Sequence, residues 1–131
     1  MTNGKKIVVV VDDDEAVRAA TSHLLKSFGY SAKVFASAED FLEANMVLHT
    51  LCLITDVKMP GMTGVELYTH LLCEGALFPV IFVTAFADEN TKARVLAAGA
   101  HAYLTKPYEA QTLMDCVESA LRTMRAAQPS V

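Results

Sequence analysis

The 131-residue chain is poor in cysteine. It has three, Cys52, Cys73 and Cys116, an odd number with no CxxC pair among them. That excludes a disulfide scaffold and a thiolate zinc site as the basis of its fold. It also lacks a basic excess, with eleven lysines and arginines against fifteen aspartates and glutamates and a formal net charge of −4. Phosphate contacts need Lys and Arg, so direct contact with nucleic acid is not expected. No apolar run approaches the roughly twenty residues that cross a bilayer. The longest, Pro79 to Ala87, is interrupted by Thr84. Lys5 and Lys6 precede only a short aliphatic run, Ile7 to Val11, too brief for a signal peptide. The expectation is a cytoplasmic protein with no membrane contact. There is no GxGxxG and no Walker loop, which removes the usual signatures of a nucleotide-binding domain. No pair among the four histidines has metal-ligand spacing. Internal repeats and low-complexity segments are also missing.

What is present suits one well-packed domain. The length matches a single unit, and a chain of this size buries about two-thirds of its unfolded surface. A hydrophobic fraction of 53% with 20% charged residues is incompatible with a disordered chain. The composition shifts only at the end, where Ala126 to Val131 reads Ala-Ala-Gln-Pro-Ser-Val. The division expected is therefore a domain over 1–125 and a linker or frayed tail over 126–131.

Hydrophobic periodicity then orders the chain. Ile7–Val11, Leu51–Thr55 and Pro79–Thr84 are continuous runs of the kind that form strands buried on both faces. Ser31–Ala36 alternates more weakly and predicts a strand nearer an edge. Ala102–Thr105 is a short strand bounded by Pro107. Between them lie helical spacings. Val17, Ala20, Leu24 and Phe28 recur after Asp14, with Gly29 at the stop. Phe41 and Leu42 follow Ser37, and Thr63 with Glu66 forms a capping box before Leu67, Leu71 and Leu72. Asp88 caps a segment ending at Gly99. The last helix is expected to start near Tyr108 and to bury Leu113, Val117, Leu121 and Met124. Five strand–helix units in succession dictate parallel strands with helices on both faces.

In open parallel sheets, ligands bind at the carboxyl ends of the strands. The strands expected here end in Asp12-Asp13-Asp14, in Asp56, in Thr84 and in Thr105-Lys106-Pro107. Each alone has an ordinary explanation. An acidic residue after a strand is commonly a helix cap, as expected of Asp14 and Glu15, and Lys-Pro commonly marks a turn. Together they gather carboxylates, a hydroxyl and an ammonium on one edge. Clustered carboxylates repel unless a cation joins them. Oxygen ligands without histidine or thiolate point to Mg²⁺. Metal, ammonium and hydroxyl are the parts that hold a phosphoryl group during attack by a carboxylate. Cys52 reads as an inert core thiol and the six methionines as packing.

The motifs Val-Asp12-Asp13, Ile-Thr-Asp56-Val-Lys-Met-Pro-Gly-Met-Thr-Gly, Val-Thr84-Ala85 and Tyr103-Leu-Thr-Lys106-Pro107 fall in the order and spacing of one family. Over nearly its whole length the chain resembles the receiver domain of two-component response regulators. It is most similar to FixJ-type receivers, which often carry a LuxR-type DNA-binding output domain. The resemblance implies a flavodoxin-like α/β fold: a single doubly wound, five-stranded parallel sheet with five helices in strand order 2-1-3-4-5. It implies that Asp56 accepts a phosphoryl group from the phosphohistidine of a sensor histidine kinase. Asp12, Asp13, Asp56 and the backbone carbonyl of Lys58 would hold Mg²⁺. Lys106 would contact the phosphoryl group, Thr84 and Tyr103 would form a switch pair, and the Lys106–Pro107 bond would be cis. The domain would assist its own phosphorylation without being a conventional enzyme. An output domain or downstream protein would read the 88–125 face, with a homodimer possible on phosphorylation. No output domain lies within the sequence itself.

A second reading is a haloacid-dehalogenase-type phosphatase, with Asp12 as nucleophile and Asp14 as acid. It lacks the insertion after the first strand and the late acidic pair of that family, and it leaves Asp56 without a role. A phosphorylation-independent interaction module would have no need of a complete acidic site.

Overall fold

The computed structural model describes residues 6–85 and 87–127, with the side chains of 125–127 left aside. Strands β1 (Ile7–Val11), β2 (Ala32–Phe35), β3 (Thr50–Thr55), β4 (Val80–Thr84) and β5 (Ala102–Thr105) form one sheet. Its order is β2-β1-β3-β4-β5 and every pairing is parallel. Helices α1 (Glu15–Ser27), α2 (Ala38–Glu43), α3 (Gly64–Cys73), α4 (Glu89–Ala97) and α5 (Ala110–Ala127) connect and follow the strands. This is the doubly wound, flavodoxin-like order expected from the resemblance. Among the described residues no helix is long and apolar enough to cross a membrane.

Alternation along the strands divides the core in two. Val9, Val11, Leu53, Phe82 and Tyr103 face α2, α3 and α4. Val8, Val10, Cys52, Ile54, Ile81 and Val83 face α1 and α5. Both faces are covered, which is why β1, β3 and β4 read as unbroken apolar runs. β2 lies at an edge and is only half-buried, as its weak alternation predicted.

Several details differ from the sequence reading. β4 begins at Val80 because Pro79 has a carbonyl for Leu53 but no N–H to donate. α5 begins at Ala110, where the Glu109 carbonyl accepts from Thr112 and Leu113, and not near Tyr108. It continues to Ala127, two residues into the segment expected as tail; 128–131 lie outside the described residues. A 3-10 turn over Val47–His49 had no sequence signal. The buried stripe of α1 is Thr21 and Leu25, while Phe28 is 45% exposed beyond the helix end. α3 buries Tyr68 beside Leu67 and Leu71, and Leu72 is exposed. In both helices apolar residues fill more than one stripe, and the tilt against the sheet selects which one is covered.

Candidate functional site

The strand order reverses direction between β1 and β3, so the crevice of the fold opens at their carboxyl ends. Asp12 and Asp56 stand one residue beyond those ends and still belong to the ladder. The Asp12 N–H donates to Phe35 O at 3.1 Å, and the Asp56 N–H to Val11 O at 3.1 Å. Sheet hydrogen bonding therefore fixes both backbones. Lys106 is fixed the same way from the far edge, its N–H donating to Thr84 O at 2.7 Å.

The side chains converge. One carboxylate oxygen each from Asp12, Asp13 and Asp56 lies within 4.8 Å of the others. The Lys106 Nζ donates to Asp12 Oδ2 at 3.1 Å and to Asp56 Oδ2 at 3.4 Å. Asp12 is 1% exposed and Asp56 8%, whereas Asp13 faces solvent. Burial pushes the Asp12 carboxyl above its ordinary value, against the lowering effect of the Asp14 N–H and of Lys106. Burial also pulls Lys106 down, but its hydrogen bonds and charge attraction to Asp12 and Asp56 outweigh that and leave it above the ordinary lysine value. The cluster is thus acidic, dry on two sides, open at Asp13, and short of positive charge.

The loop after Asp56 is shaped by contacts on both sides. Lys58 N–H donates to Asp56 Oδ1 at 3.3 Å. Gly64 N–H donates to Val57 O at 2.8 Å, and a Cβ on Gly64 would collide with the Asp56 carbonyl. Glycine is required there by close approach alone, since the α3 helix start lies flat on the backbone of the site. Glu39 reaches from α2 to accept the Met62 N–H at 2.8 Å and so ties the outer half of the loop.

The Lys106–Pro107 bond is cis, as expected. Thr84 is 1% exposed and pairs in register with Thr105, while Phe82 pairs with Tyr103. Partners in a parallel pair share a face, so Thr84 and Tyr103 lie on the α4 side of the sheet, two register positions apart with the Val83–Leu104 pair between them on the other face. Asp14 is used as a cap: its side chain accepts from the N–H groups of Ala16 and Val17. That geometry deprives the phosphatase reading of its acid. Sequence reasoning missed Arg18, whose Nη1 donates to Asp12 O at 2.8 Å and steadies the turn between β1 and α1. No spacing rule marks a contact of that kind. It also missed Glu39, whose link to Met62 is long in sequence.

An open, doubly wound α/β domain with an acidic cluster and Lys106 at its carboxyl edge has the layout of a flavodoxin-like receiver fold. The family model for the response regulator receiver domain matches residues 8–118, and the chain belongs to that family. The transcriptional regulatory protein TdiR of Thauera aromatica is 36% identical over 124 residues, covering 95% of this chain and 55% of that protein. The transcriptional regulatory protein FixJ of Bradyrhizobium diazoefficiens is 34% identical over 123 residues, covering 94% of this chain and 60% of the other. A solved response regulator receiver protein from Burkholderia phymatum matches with a TM-score of 0.78 at 40% identity, over 90% of this chain and 96% of that one. The chain thus spans between 55% and 60% of the length of those two curated relatives.

Proposed function

We propose that residues 1–125 accept a phosphoryl group on Asp56 from the phosphohistidine of a sensor histidine kinase, in a Mg²⁺-dependent reaction in the cytoplasm. The observation that carries this reading is the placement of the Asp56 carboxylate, 3.4 Å from the Lys106 ammonium and inside a three-carboxylate cluster. The donor set fits the metal: three oxygens from carboxylates, no softer ligand among them, and one side open to water. Asp12, Asp13, Asp56 and the Lys58 carbonyl are the residues that would hold Mg²⁺. When bound, it supplies positive charge that offsets carboxylate repulsion and draws a phosphoryl oxygen.

The chain's own residues do the rest. An Asp56 oxygen attacks phosphorus as the phosphorus–nitrogen bond of the donor breaks, and the electron pair leaves with the imidazole. Lys106 holds a phosphoryl oxygen as charge develops on it. The sheet ladder and Gly64 keep Asp56 from moving away. The Thr84 hydroxyl turns to the new acceptor, and Tyr103 follows into the space vacated. The face over 88–125 then changes shape for an output domain, a downstream protein or a second copy.

The test is acetyl phosphate with Mg²⁺, read by intact mass. The chain gains one phosphoryl group, and Asp56→Asn gains none. Undiminished labelling of Asp56→Asn together with lost labelling of Asp12→Asn would overturn this reading in favour of a phosphatase.

A further inference from the structure

α4 is weakly attached to the sheet it covers. It buries one residue, Val95. A groove of about 310 Å³ separates it from α3, lined by Val65, Thr69, Leu72 and Arg94 among others. A second space of about 350 Å³ lies at its carboxyl end, between Ala98, Gly99 and α5. Few buried apolar contacts and open space on two sides place a helix at the low-stability end of a fold.

Two tyrosines hold its ends. The Tyr68 hydroxyl, from α3, donates to the carbonyl of Ala98, the C-cap residue, at 3.3 Å. Gly99 follows at φ +114°, and a Cβ there would lie 3.2 Å from the Tyr68 hydroxyl. Glycine at 99 therefore serves both the backbone conformation and the approach of that hydroxyl. At the other end the Tyr103 hydroxyl meets the Asp88 backbone, which works against the rise that burial gives its pKa, and the Asp88 side chain caps α4 by accepting from Asn90. The two rings communicate through Phe82. Tyr68 packs edge-on against Phe82 at 5.6 Å between centroids, and Phe82 meets Tyr103 at 6.3 Å.

The attachments differ in kind. Tyr68 stands on α3, whose own burial and capping box fix it firmly. Tyr103 stands on the edge strand β5 and is the residue expected to move. We propose that Tyr68 is the pivot of α4: its hydroxyl holds the carboxyl end at Ala98 while the amino end swings as Tyr103 leaves Asp88. This rests on the switch role assigned above to Thr84 and Tyr103. Nine residues make a lever of roughly 13 Å, so a small displacement at Tyr103 is largest at Glu89 and Asn90 and vanishes near Ala98. Tyr68 acts through α4 and touches no reacting atom, so it is a positioning residue. Its loss leaves phosphoryl uptake by Asp56 unchanged.

The test is residue-resolved amide exchange on the full chain, with and without beryllofluoride and Mg²⁺. The reporters at the carboxyl end are the N–H groups of Ala98, Gly99 and Ala100, which donate to Arg94, Leu96 and Val95. Those at the amino end are Asn90 and Lys92. In the wild type, beryllofluoride accelerates exchange at Asn90 and Lys92 more than at Ala98–Ala100. Tyr68→Phe keeps the ring on Phe82 and loses the hydroxyl. Exchange at Ala98–Ala100 then quickens roughly two- to tenfold even without beryllofluoride, the equivalent of one hydrogen bond. With beryllofluoride the response spreads along the whole helix. Tyr103→Phe loosens Asn90 and Lys92 and leaves Ala98–Ala100 as they were. Unchanged exchange at Ala98–Ala100 in Tyr68→Phe overturns the pivot. So does equal acceleration in β1 and β3, which marks a general loss of stability. A wild type that responds to beryllofluoride nowhere and takes no phosphoryl group fails the phosphoacceptor reading instead, and the metal-free comparison still decides whether Tyr68 anchors the helix.

Discussion

Asp12, Asp13 and Asp56 share one pocket beside the Lys106 ammonium, so the metal-free site gathers three carboxylates that repel one another. Asp13 is the exposed member and can be neutralised without opening the core. Asp13→Asn raises the melting temperature of the metal-free protein and weakens Mg²⁺ binding more than tenfold, about 1.4 kcal/mol. A thermal scan across a Mg²⁺ titration reads both effects, and unchanged affinity removes Asp13 from the ligand set. Cys52 makes a separate prediction. Burial pushes its thiol from an ordinary 9.0 up to about 12, with the neighbouring Cys116 adding to the rise. The folded state then keeps a proton that the unfolded state gives up. This group's contribution to stability is complete below pH 9.0 and is lost as pH rises toward 12. The slope is at most about 1.4 kcal/mol per pH unit. Denaturant midpoints between those limits fall less steeply for Cys52→Val than for the wild type; parallel curves would refute the assignment.

α3 connects a sequence signal to the chemistry of the site. The capping box expected from Thr63 and Glu66 is formed, with Glu66 N–H donating to Thr63 Oγ1 at 3.1 Å and Thr63 N–H to Glu66 Oε1 at 2.9 Å. The helix start is thereby fixed, and Gly64 is pressed onto the Asp56 carbonyl. Gly64→Ala forces that carbonyl aside. It costs about 1–3 kcal/mol, as overpacking does, and it slows phosphoryl uptake by displacing Asp56. Thr63→Ala costs about 1 kcal/mol through loss of the cap but leaves uptake near wild type. Urea denaturation and timed mass spectrometry on the two variants separate stability from positioning. Equal uptake in Gly64→Ala and Thr63→Ala would show that the contact is only structural. α4 stands at the opposite extreme, with little burial and a polar cap at Asp88, which suits an element that changes position.

At the scale of the molecule, the proposed function assigns the chemistry to one edge of the sheet and its readout to the α4–β5 side. A hydrogen bond from Thr84 to a charged acceptor is worth about 1.5–3 kcal/mol, enough for a population shift and too little for a new fold. Thr84→Ala accepts phosphate at Asp56 and loses the spectral changes over 84–108 that beryllofluoride induces in the wild type. Equal changes in both proteins would sink the Thr84–Tyr103 coupling and leave the phosphoacceptor assignment standing. Much of this plan was legible in the sequence, because its signals are local. Unbroken runs such as Val8–Val11 mark strands covered on both faces. Asp14, Ser37, Thr63 and Asp88 each accept a backbone N–H within the next turn, so their helix starts follow from chain-neighbour chemistry. The motif spacing carried the family and the identity of the acidic residues. What only the tertiary structure decided are the contacts between segments far apart in the chain. Lys106 lies ninety-four positions from Asp12, Glu39 twenty-three from Met62, and Tyr68 thirty from Ala98. Each depends on strand register and helix tilt, which are set by packing the whole core at once. For the same reason α1 buries Thr21 and Leu25 in place of the stripe through Ala20 and Phe28: periodicity proposes a face, and the sheet beneath the helix selects it.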